Sequence, residues 1–426
     1  MSTMFSALRI RNYRLFATGS LISNTGTWMQ RVAQDWLILT LTGSAGALGL
    51  TTGLQFLPIL LFSPFAGVLA DRFSKRAVLM VTQVSMGATA AVLGVLAVTN
   101  AVTAWHVYVL AFVFGVGTAF DAPARQAFVN EMVPTTKLTN AVALNSASFN
   151  LARMIGPAAA GGIIALLGSG VQATGWVILL NGLSYGSVVT SLKRMRSEEL
   201  RPVPPLLRAK GQLRDGVRYV RSRPDIMLVM AVVFCAGTFG FNFQMTTALM
   251  ATEVYGKGAG EYGVLGSVLA IGSLGGALMA ARRAKARQTI VILAAIGFGA
   301  AEIVTGLMPT YLTFAVSLPL CGFVSMTLVT SANAFVQMAA DPAMRGRVMA
   351  LYMAVFMGGT PVGSPLLGWV AERFGARWTL VGGGALTIIG TVIAVLLVGR
   401  LQGLVMTRYI TLRRPAPITT PPVVTD

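Results

Sequence analysis

Long apolar runs separated by short polar breaks make up most of the 426-residue chain, and within each run the apolar positions are continuous rather than alternating. Twelve runs can be drawn, at about 14–41, 47–70, 77–99, 104–121, 139–167, 172–192, 226–252, 262–281, 288–308, 311–338, 346–370 and 377–400. A helix crosses the hydrocarbon core with about 20 apolar residues, whereas a barrel strand needs about 10 in strict alternation. Only helices and closed barrels satisfy the backbone in lipid, so the pattern predicts an all-α membrane protein with twelve transmembrane helices. The longest polar interruption, 193–225, carries Pro202, Pro204 and Pro205 and divides the runs six and six. It predicts an N-terminal bundle over 1–192, a cytoplasmic linker over 193–225 and a C-terminal bundle over 226–401. The remainder, 402–426, is rich in Pro and Thr without apolar periodicity and reads as a disordered cytoplasmic tail. Inside the linker, Leu213, Val217 and Val220 recur at helical spacing with Arg214, Arg218 and Arg221 on the other flank. That pattern suits either an amphipathic helix on an anionic leaflet or a solvated loop helix.

The two halves repeat. Pro134 to Pro157 and Pro342 to Pro365 have the same separation, and each segment opens with a basic helix start and ends in a Gly- and Pro-rich run. The offset of 208 positions (342 minus 134) carries Gly67 onto Gly275 and puts Met279 where Asp71 falls. Two pseudo-symmetric six-helix bundles are expected, with the role of Asp71 filled once.

Composition agrees with the pattern: 55% of residues are hydrophobic and 11% charged, and the mean hydropathy is +0.71. The net charge of +19 does not imply nucleic acid, because the cations crowd into the breaks between runs. If the N-terminus is cytoplasmic, 28 of the 33 cations fall on the cytoplasmic side, only Lys257, Arg373 and Arg377 lie opposite, and Arg31 and Arg153 sit inside spans. The positive-inside rule then places both termini in the cytoplasm. Cys235 and Cys321 lie in apolar runs, so neither a disulfide nor a thiolate metal site is expected. Arg9, Arg11 and Arg14 lead into a run too long for a cleavable signal peptide.

Between the second and third runs lies Gly67-Val-Leu-Ala-Asp71-Arg72-Phe-Ser-Lys75-Arg76, a tight basic loop that is either a simple topogenic signal or part of a gate. It resembles the loop 2-3 signature of the major facilitator superfamily, with Ser74 where that signature has Gly. The likeness extends from about Tyr13 to Arg400. Trp28-Met-Gln30-x-x-x-Gln34-x-Trp36, Leu41-Thr-Gly-Ser44, Phe120-Asp121-x-Pro123-x-Arg125-Gln126, Gly156-Pro157 and Gly216-Val-Arg-Tyr-Val are similar to the branch holding the enterobactin exporter and drug:proton antiporters. Gly156, Pro157 and Gly161 resemble an antiporter motif, with Ala152 where its first Gly is expected. The resemblance implies the superfamily's fold and proton-coupled efflux of a drug or siderophore by alternating access. Gly67, Asp71, Arg72 and Arg76 are the candidates for an inner gate, and Asp121 and Arg125, at the cytoplasmic end of the fourth run, are either their partners in it or a local salt bridge. The family's fourth span often carries an Arg four residues before Gly115-x-Gly117, where this chain has Ala111. The proton relay therefore falls to Arg31 or Arg153, or coupling differs.

Each polar group at mid-membrane costs roughly 2.5–3.5 kcal/mol on insertion scales and is normally sheltered in a cavity. Asn24, Thr27, Arg31, Gln34 and Asp35 recur at spacings of three and four in the first span, one face that is expected to line a central cavity. Arg31 and Asp35 are one turn apart and suited to pair, either as a proton-coupling element or as a permanent structural ion pair. Ser146, Asn150 and Arg153 form a similar face on the fifth span, where Arg153 either attracts an anionic substrate group or satisfies carbonyls of a broken helix. Glu302 in the ninth span has no cation within a turn and is either a second protonation site or a hydrogen-bonding strut. His106 falls at a span edge, an interfacial residue or a proton relay.

Glycine runs at Gly272–Gly276 and Gly382–Gly384 are not followed by Gly-Lys-Ser/Thr and read as close-packing or bending sites rather than phosphate cradles. One histidine, two separated cysteines and the few membrane carboxylates do not furnish an enzyme's nucleophile, base or metal cluster. No cofactor is expected. The sequence leaves a membrane-embedded receptor or enzyme as the non-transport alternative, and uniport or import as the alternative within transport. The expected partners are a small-molecule substrate, protons and membrane lipids, for a monomer.

Overall fold

The computed structural model describes residues 3–201, 212–281 and 287–401; the side chains of 3–4, 63–64, 67–71, 212–213, 281 and 399–401 are outside the described set. The expected tail at 402–426 and the cations Arg208, Lys210, Arg282, Arg283 and Lys285 fall outside the described residues, and so does the Asp71 side chain.

Six long helices fill the first half: α1 (Arg11–Thr42), α2 (Ala45–Arg72), α3 (Lys75–Val98), α4 (Ala104–Met132), α5 (Thr135–Leu166) and α6 (Val171–Arg194). A short helix α7 (Gln212–Ser222) precedes α8 (Pro224–Cys235) and α9 (Phe243–Leu249), after which come α10 (Ala259–Ala281), α11 (Gln288–Gly306), α12 (Tyr311–Ala339), α13 (Arg345–Phe374) and α14 (Arg377–Leu401). The repeat is visible in the element ends. Adding 208 to Val98 and Leu166, the last residues of α3 and α5, gives Gly306 and Phe374, the last residues of α11 and α13.

Eleven helices among the described residues are long and apolar enough to cross a membrane, with α8 and α9 counted as one span over Pro224–Val254. The helix that misses this standard is α1. At 32 residues it is about 48 Å long, enough to span, but Asn12, Ser20, Ser23, Gln30, Gln34 and Asp35 are all buried along it. Its polar side is turned onto other helices rather than onto lipid.

Two expected boundaries move. The fourth run was expected to end at residue 121, yet α4 continues through Pro123 to Met132 because Ala124, Phe128, Val129 and Met132 bury a second apolar face. Asp121 and Arg125 therefore lie within a helix, not at its end. The seventh run is not one regular helix: π-helical turns at Ala236–Gly240 and Met250–Val254 bracket α9, and the backbone leaves helical geometry at Phe241 and Asn242.

Small residues set the spacing between helices. A Cβ on Gly272 would meet the backbone of Pro319, one on Gly276 the backbone of Phe323, and one on Gly322 the Leu269 carbonyl, so α10 and α12 touch main chain to main chain. With lipid tails as apolar as Leu, such close packing is what drives helices together in a membrane. Gly383 and Gly384 do the same against Phe239 and Gly299, as their sequence predicts. Cys321 is buried 3.2 Å from the Thr305 hydroxyl, and Cys235 touches Gly390; both are free.

In the first half α6 packs on α1 and α3, α2 on α4, α1 on α5, and α3 on α4; in the second α12 packs on α10 and α11, and α11 on α14. The halves meet along two seams, α2 with α13 and α5 with α10. Both are glycine- and proline-lined. Gly263 on α10 lies against the Pro157 carbonyl, with a Cβ there only 2.9 Å from the Gly161 Cα. Across the other seam a Cβ on Gly49 would stand 3.1 Å from the Gly368 Cα, and one on Gly53 2.9 Å from Pro365 Cγ. Pro157 and Pro365, equivalent under the repeat, thus occupy equivalent places in the two seams. These approaches lie in the C-terminal parts of α5 and α13 and the N-terminal parts of α10 and α2. That end of the molecule, which also holds the 43–44 turn, is called distal below; the end holding the α2–α3 turn is proximal.

The linker helix forms as the sequence predicts, but Val220 is buried and Gly216 lies 3.2 Å, measured from a Cβ, from Leu351 Cδ1. Asp215 pairs with Arg347 at 3.4 Å, and the Tyr219 hydroxyl accepts the Asp341 amide at 3.1 Å. The apolar flank of α7 is turned onto α13, so it is not free to lie on a leaflet.

Candidate functional site

The polar side chains of α1 divide by partner. Thr27 donates to its own helix at the Ser23 carbonyl and lies 2.9 Å from the Tyr185 hydroxyl of α6. Gln30 accepts from Asn181 at 2.5 Å, and Gln34 donates to Gln55 of α2 at 3.2 Å. Asn24 is half-buried and makes no side-chain hydrogen bond among the described residues. The expected single cavity-lining face is therefore narrower than its spacing suggests, because Thr27 and Gln34 spend their polar atoms inside the first half.

Asp35 is the exception. It is 2% exposed, and its Oδ2 accepts two hydrogen bonds from the second half, from Gln244 Nε2 at 2.6 Å and from the Tyr262 hydroxyl at 2.8 Å. Tyr262 also reaches the Gln244 carbonyl at 3.3 Å. A carboxylate accepting two donors in a low-dielectric seam makes strong charge-assisted bonds. One ionisable group on α1 thus ties α9 and α10 to the first half. The expected Arg31–Asp35 ion pair is not formed. Asp35 turns toward the seam, whereas the Arg31 guanidinium leans back along α1, 4.6 Å from the Trp28 ring centre and 5.5 Å from that of Phe56, as side chains on a helix tilt toward its N-terminus. Arg31 Nε is buried without a hydrogen-bond partner.

On α5, Ser146 is exposed, and Asn150 donates to the Ser146 carbonyl at 2.9 Å, within its own helix. Arg153 is half-buried near Arg31, whose charge it feels. Gly156 seats α5 against α1, with a Cβ there 2.6 Å from Trp28 Cβ, whereas Pro157 and Gly161 belong to the seam with α10. Glu302 is 1% exposed, and its Oε2 has no hydrogen-bond partner. It rests against Gly240 of the π-helical turn and Gly384 of α14. Among the described residues nothing supports a hydrogen-bonding strut there.

At the proximal end Asp121 and Arg125 form the local ion pair at 2.9 Å. Asp121 Oδ1 also accepts from Thr82 at 3.0 Å and Gln83 at 2.8 Å, while Arg125 donates to Ser20 at 2.9 Å. Three helices are clamped by one satisfied network. Arg72 is exposed. Arg76 donates to the Ser197 hydroxyl at 2.6 Å and to the Lys193 carbonyl at 3.4 Å, and Lys75 pairs with Glu131 at 2.9 Å. Ser74, the departure from the loop signature, caps α3 by accepting the Ala77 amide at 3.3 Å. His106 closes a capping box with Thr103 at the start of α4.

Sequence reasoning missed three groups. Gln244 and Tyr262 sit in apolar runs with no motif to mark them. Glu372, at the distal end of α13, accepts from the Ser44 hydroxyl and from the Gly46 amide at 3.0 Å, which puts a carboxylate from one half on the N-terminus of α2 in the other, where the helix dipole favours it. The Leu41-Thr-Gly-Ser44 motif pointed to one side of this contact but not to its partner. We expect Glu372→Ala to weaken the distal contact between α13 and α2 by about tenfold, as loss of roughly 1.5 kcal/mol implies. Distances between spin labels across the distal end check this, and an unchanged distribution contradicts it.

These features define a polytopic α-helical membrane protein whose halves meet along two glycine-lined seams around buried charges. The chain belongs to the transmembrane secretion effector family of the major facilitator superfamily, whose model matches residues 2–404. It is a family of transporters of small molecules, not of enzymes. The chain is 24% identical over 383 residues to the staphyloferrin A transporter of Staphylococcus aureus, covering 89% of this chain and 94% of that one. It is 28% identical over 377 residues to the multidrug efflux pump Tap of Mycolicibacterium fortuitum, covering 86% and 90%. To the enterobactin exporter EntS of Shigella flexneri it is 27% identical over 378 residues, covering 86% and 83%. The fold matches that of a bacterial homolog of the human lysosomal transporter Spinster in an inward-facing and occupied conformation, with a TM-score of 0.69 and 14% identity over 92% of this chain and 97% of that one. A D-xylose–proton symporter matches with a TM-score of 0.69 and 12% identity over 93% and 99%.

Proposed function

We propose that this protein is a proton-coupled exporter that moves an amphipathic small organic molecule across the bacterial cytoplasmic membrane by alternating access. In this reading α1 joins the eleven apolar spans as the twelfth, residues 1–192 and 226–401 move as two six-helix bodies, and 193–225 links them on the cytoplasmic side. The cation distribution supports a cytoplasmic proximal end with both termini there. The protein works as a monomer.

The observation that carries the reading is the tie from Asp35 to Gln244 and Tyr262. While Asp35 is a carboxylate, both donors hold the distal seam shut. A proton on Asp35 removes the charge that makes these bonds strong, so the protonated carrier can part its distal seam whereas the charged, empty carrier cannot. Substrate supplies the other route, by offering contacts that offset the broken tie. This arrangement opposes a futile proton leak. Glu302 is the second group proposed to carry a proton.

Purified protein in proteoliposomes should move solute against its concentration gradient only when a pH gradient is imposed, and solute added to one side should drive proton movement in the opposite direction. Solute flux indifferent to the gradient contradicts the coupling. The Asp71 loop is proposed as a latch at the proximal end, because its acid has no counterpart in the second half. Asp71→Asn is expected to slow turnover with little change in substrate affinity; weakened binding at normal turnover places Asp71 in the substrate site instead.

A further inference from the structure

We infer that Arg31 and Arg153 together form an anion-binding subsite with an aromatic wall, and that the substrates it takes are planar aromatic anions. The inference rests on the transporter reading above and names the substrate chemistry of that site. Arg31 on α1 and Arg153 on α5, both half-buried, stand on helices held in contact by Gly156 against Trp28, and the charge of one acts on the other, a repulsive arrangement unless an anion joins it. Neither has an ion pair or a hydrogen-bond partner among the described residues, and Arg31 Nε is a buried donor left unsatisfied.

The carboxylates that could neutralise the pair are engaged or distant. Asp35 is within electrostatic range of Arg31, but its Oδ2 is held by Gln244 and Tyr262. Glu302 is enclosed in the second half against Gly240 and Gly384. Tyr185, the other titratable side chain near Arg31, has its hydroxyl against Thr27.

The wall is built from the same two helices. Trp28 lies under the Arg31 guanidinium, and its edge meets Phe149 with ring centres 5.8 Å apart. Phe149 sits one turn before Arg153 on α5 and is 46% exposed, so its ring remains available. Gly156 fixes the spacing by letting α5 approach Trp28 Cβ and the Thr25 carbonyl of α1. A flat ring can stack on this surface while its acidic groups meet two planar donor forks, the geometry that favours Arg over Lys for carboxylates and related anions. A cationic ring system of the same size meets two like charges.

The test uses the full-length protein in nanodiscs of phosphatidylcholine, whose zwitterionic surface does not recruit anions. Binding of fluorescein, a planar anion, and of rhodamine 123, a cation on the same ring skeleton, is read by fluorescence polarisation. Wild-type protein is expected to prefer fluorescein, and Arg153→Gln and Arg31→Gln to weaken that binding by about tenfold or more each, as loss of a charge-assisted contact implies. Arg153→Lys retains part of it. Equal affinity for the two dyes in the wild type, which requires no variant to fold, overturns the inference, as does unchanged fluorescein binding in both Gln variants. Efflux of rhodamine 123 from cells carrying the wild type, together with no fluorescein binding by the wild type, removes the anion subsite and leaves the exporter standing. Fluorescein binding without gradient-driven flux of either dye retains the subsite and removes the transport reading.

Discussion

Asp35→Asn is expected to abolish accumulation of solute against its gradient while leaving the protein folded and able to equilibrate solute. Asn keeps the shape of the neutral acid and can still accept from Gln244 or Tyr262, but it carries neither charge nor titratable proton. Exchanging charge-assisted for neutral bonds costs roughly 1.5–3 kcal/mol, which moves the balance between distally closed and open forms by about tenfold to a hundredfold. The variant should therefore cycle without regard to pH. Proteoliposomes loaded with solute check this directly: flux down the solute gradient persists, and flux driven by an imposed pH gradient falls to that of empty vesicles. Unimpaired gradient-driven flux in the variant refutes the role given to Asp35.

Gly263→Leu is expected to have a comparably large effect, on conformation rather than on coupling. At this position a side chain has nowhere to go. A Cβ meets the Pro157 carbonyl and comes within 2.9 Å of the Gly161 Cα, so the obstruction is backbone that cannot swing aside. Overpacking a close contact typically costs 1–3 kcal/mol, occasionally more, and here the distally closed form bears all of it. Transport should fall to a few per cent of wild type, on the scale of the about tenfold per 1.4 kcal/mol that such a penalty implies, while expression and insertion change little. Retained transport with a normal distal distance distribution shows that the seam yields more easily than its geometry suggests.

Much of the fold was legible because lipid permits so few solutions. Continuous apolar runs of helical length placed most of the long helices to within a few residues, α4 and the interrupted seventh run excepted, and the Pro134/Pro342 offset anticipated the matching ends of α5 and α13. The extension of α4 escaped notice because residues 122–132 are amphipathic rather than apolar, and the π-helical turns around α9 have no pattern of their own. At the candidate site the sequence singled out Arg31, Asp35, Arg153 and Glu302 because their positions inside apolar runs are costly; Asp35 and Glu302 are buried, and Arg31 and Arg153 half-buried. What it paired was wrong. Spacing of four suggested Arg31 with Asp35, but a helix face is about a third of a cylinder, and neighbouring helices decide which way each side chain leaves it. Gln244, Tyr262 and Glu372 make contacts between halves across 209 to 328 positions, and single-sequence periodicity has no access to them. The same reason hid the α7–α13 contact, where Val220, on a flank suited to a leaflet or to a solvated loop, is covered by protein.

Spin-label distances across both ends of the molecule, followed as a function of pH, test the proposal of proton-tied alternating access most directly. Leu166 on α5 and Leu312 on α12 report the distal end, and Phe73 and Met338 the proximal end; all four are exposed, from 58% at Phe73 to 88% at Leu166. Labels are introduced with Cys235 and Cys321 replaced by Ala. Acidification is expected to lengthen the distal pair and shorten the proximal pair together, and Asp35→Asn is expected to show the acidic distribution at every pH. Distributions that ignore pH in the wild type, or two pairs that lengthen together, contradict the account.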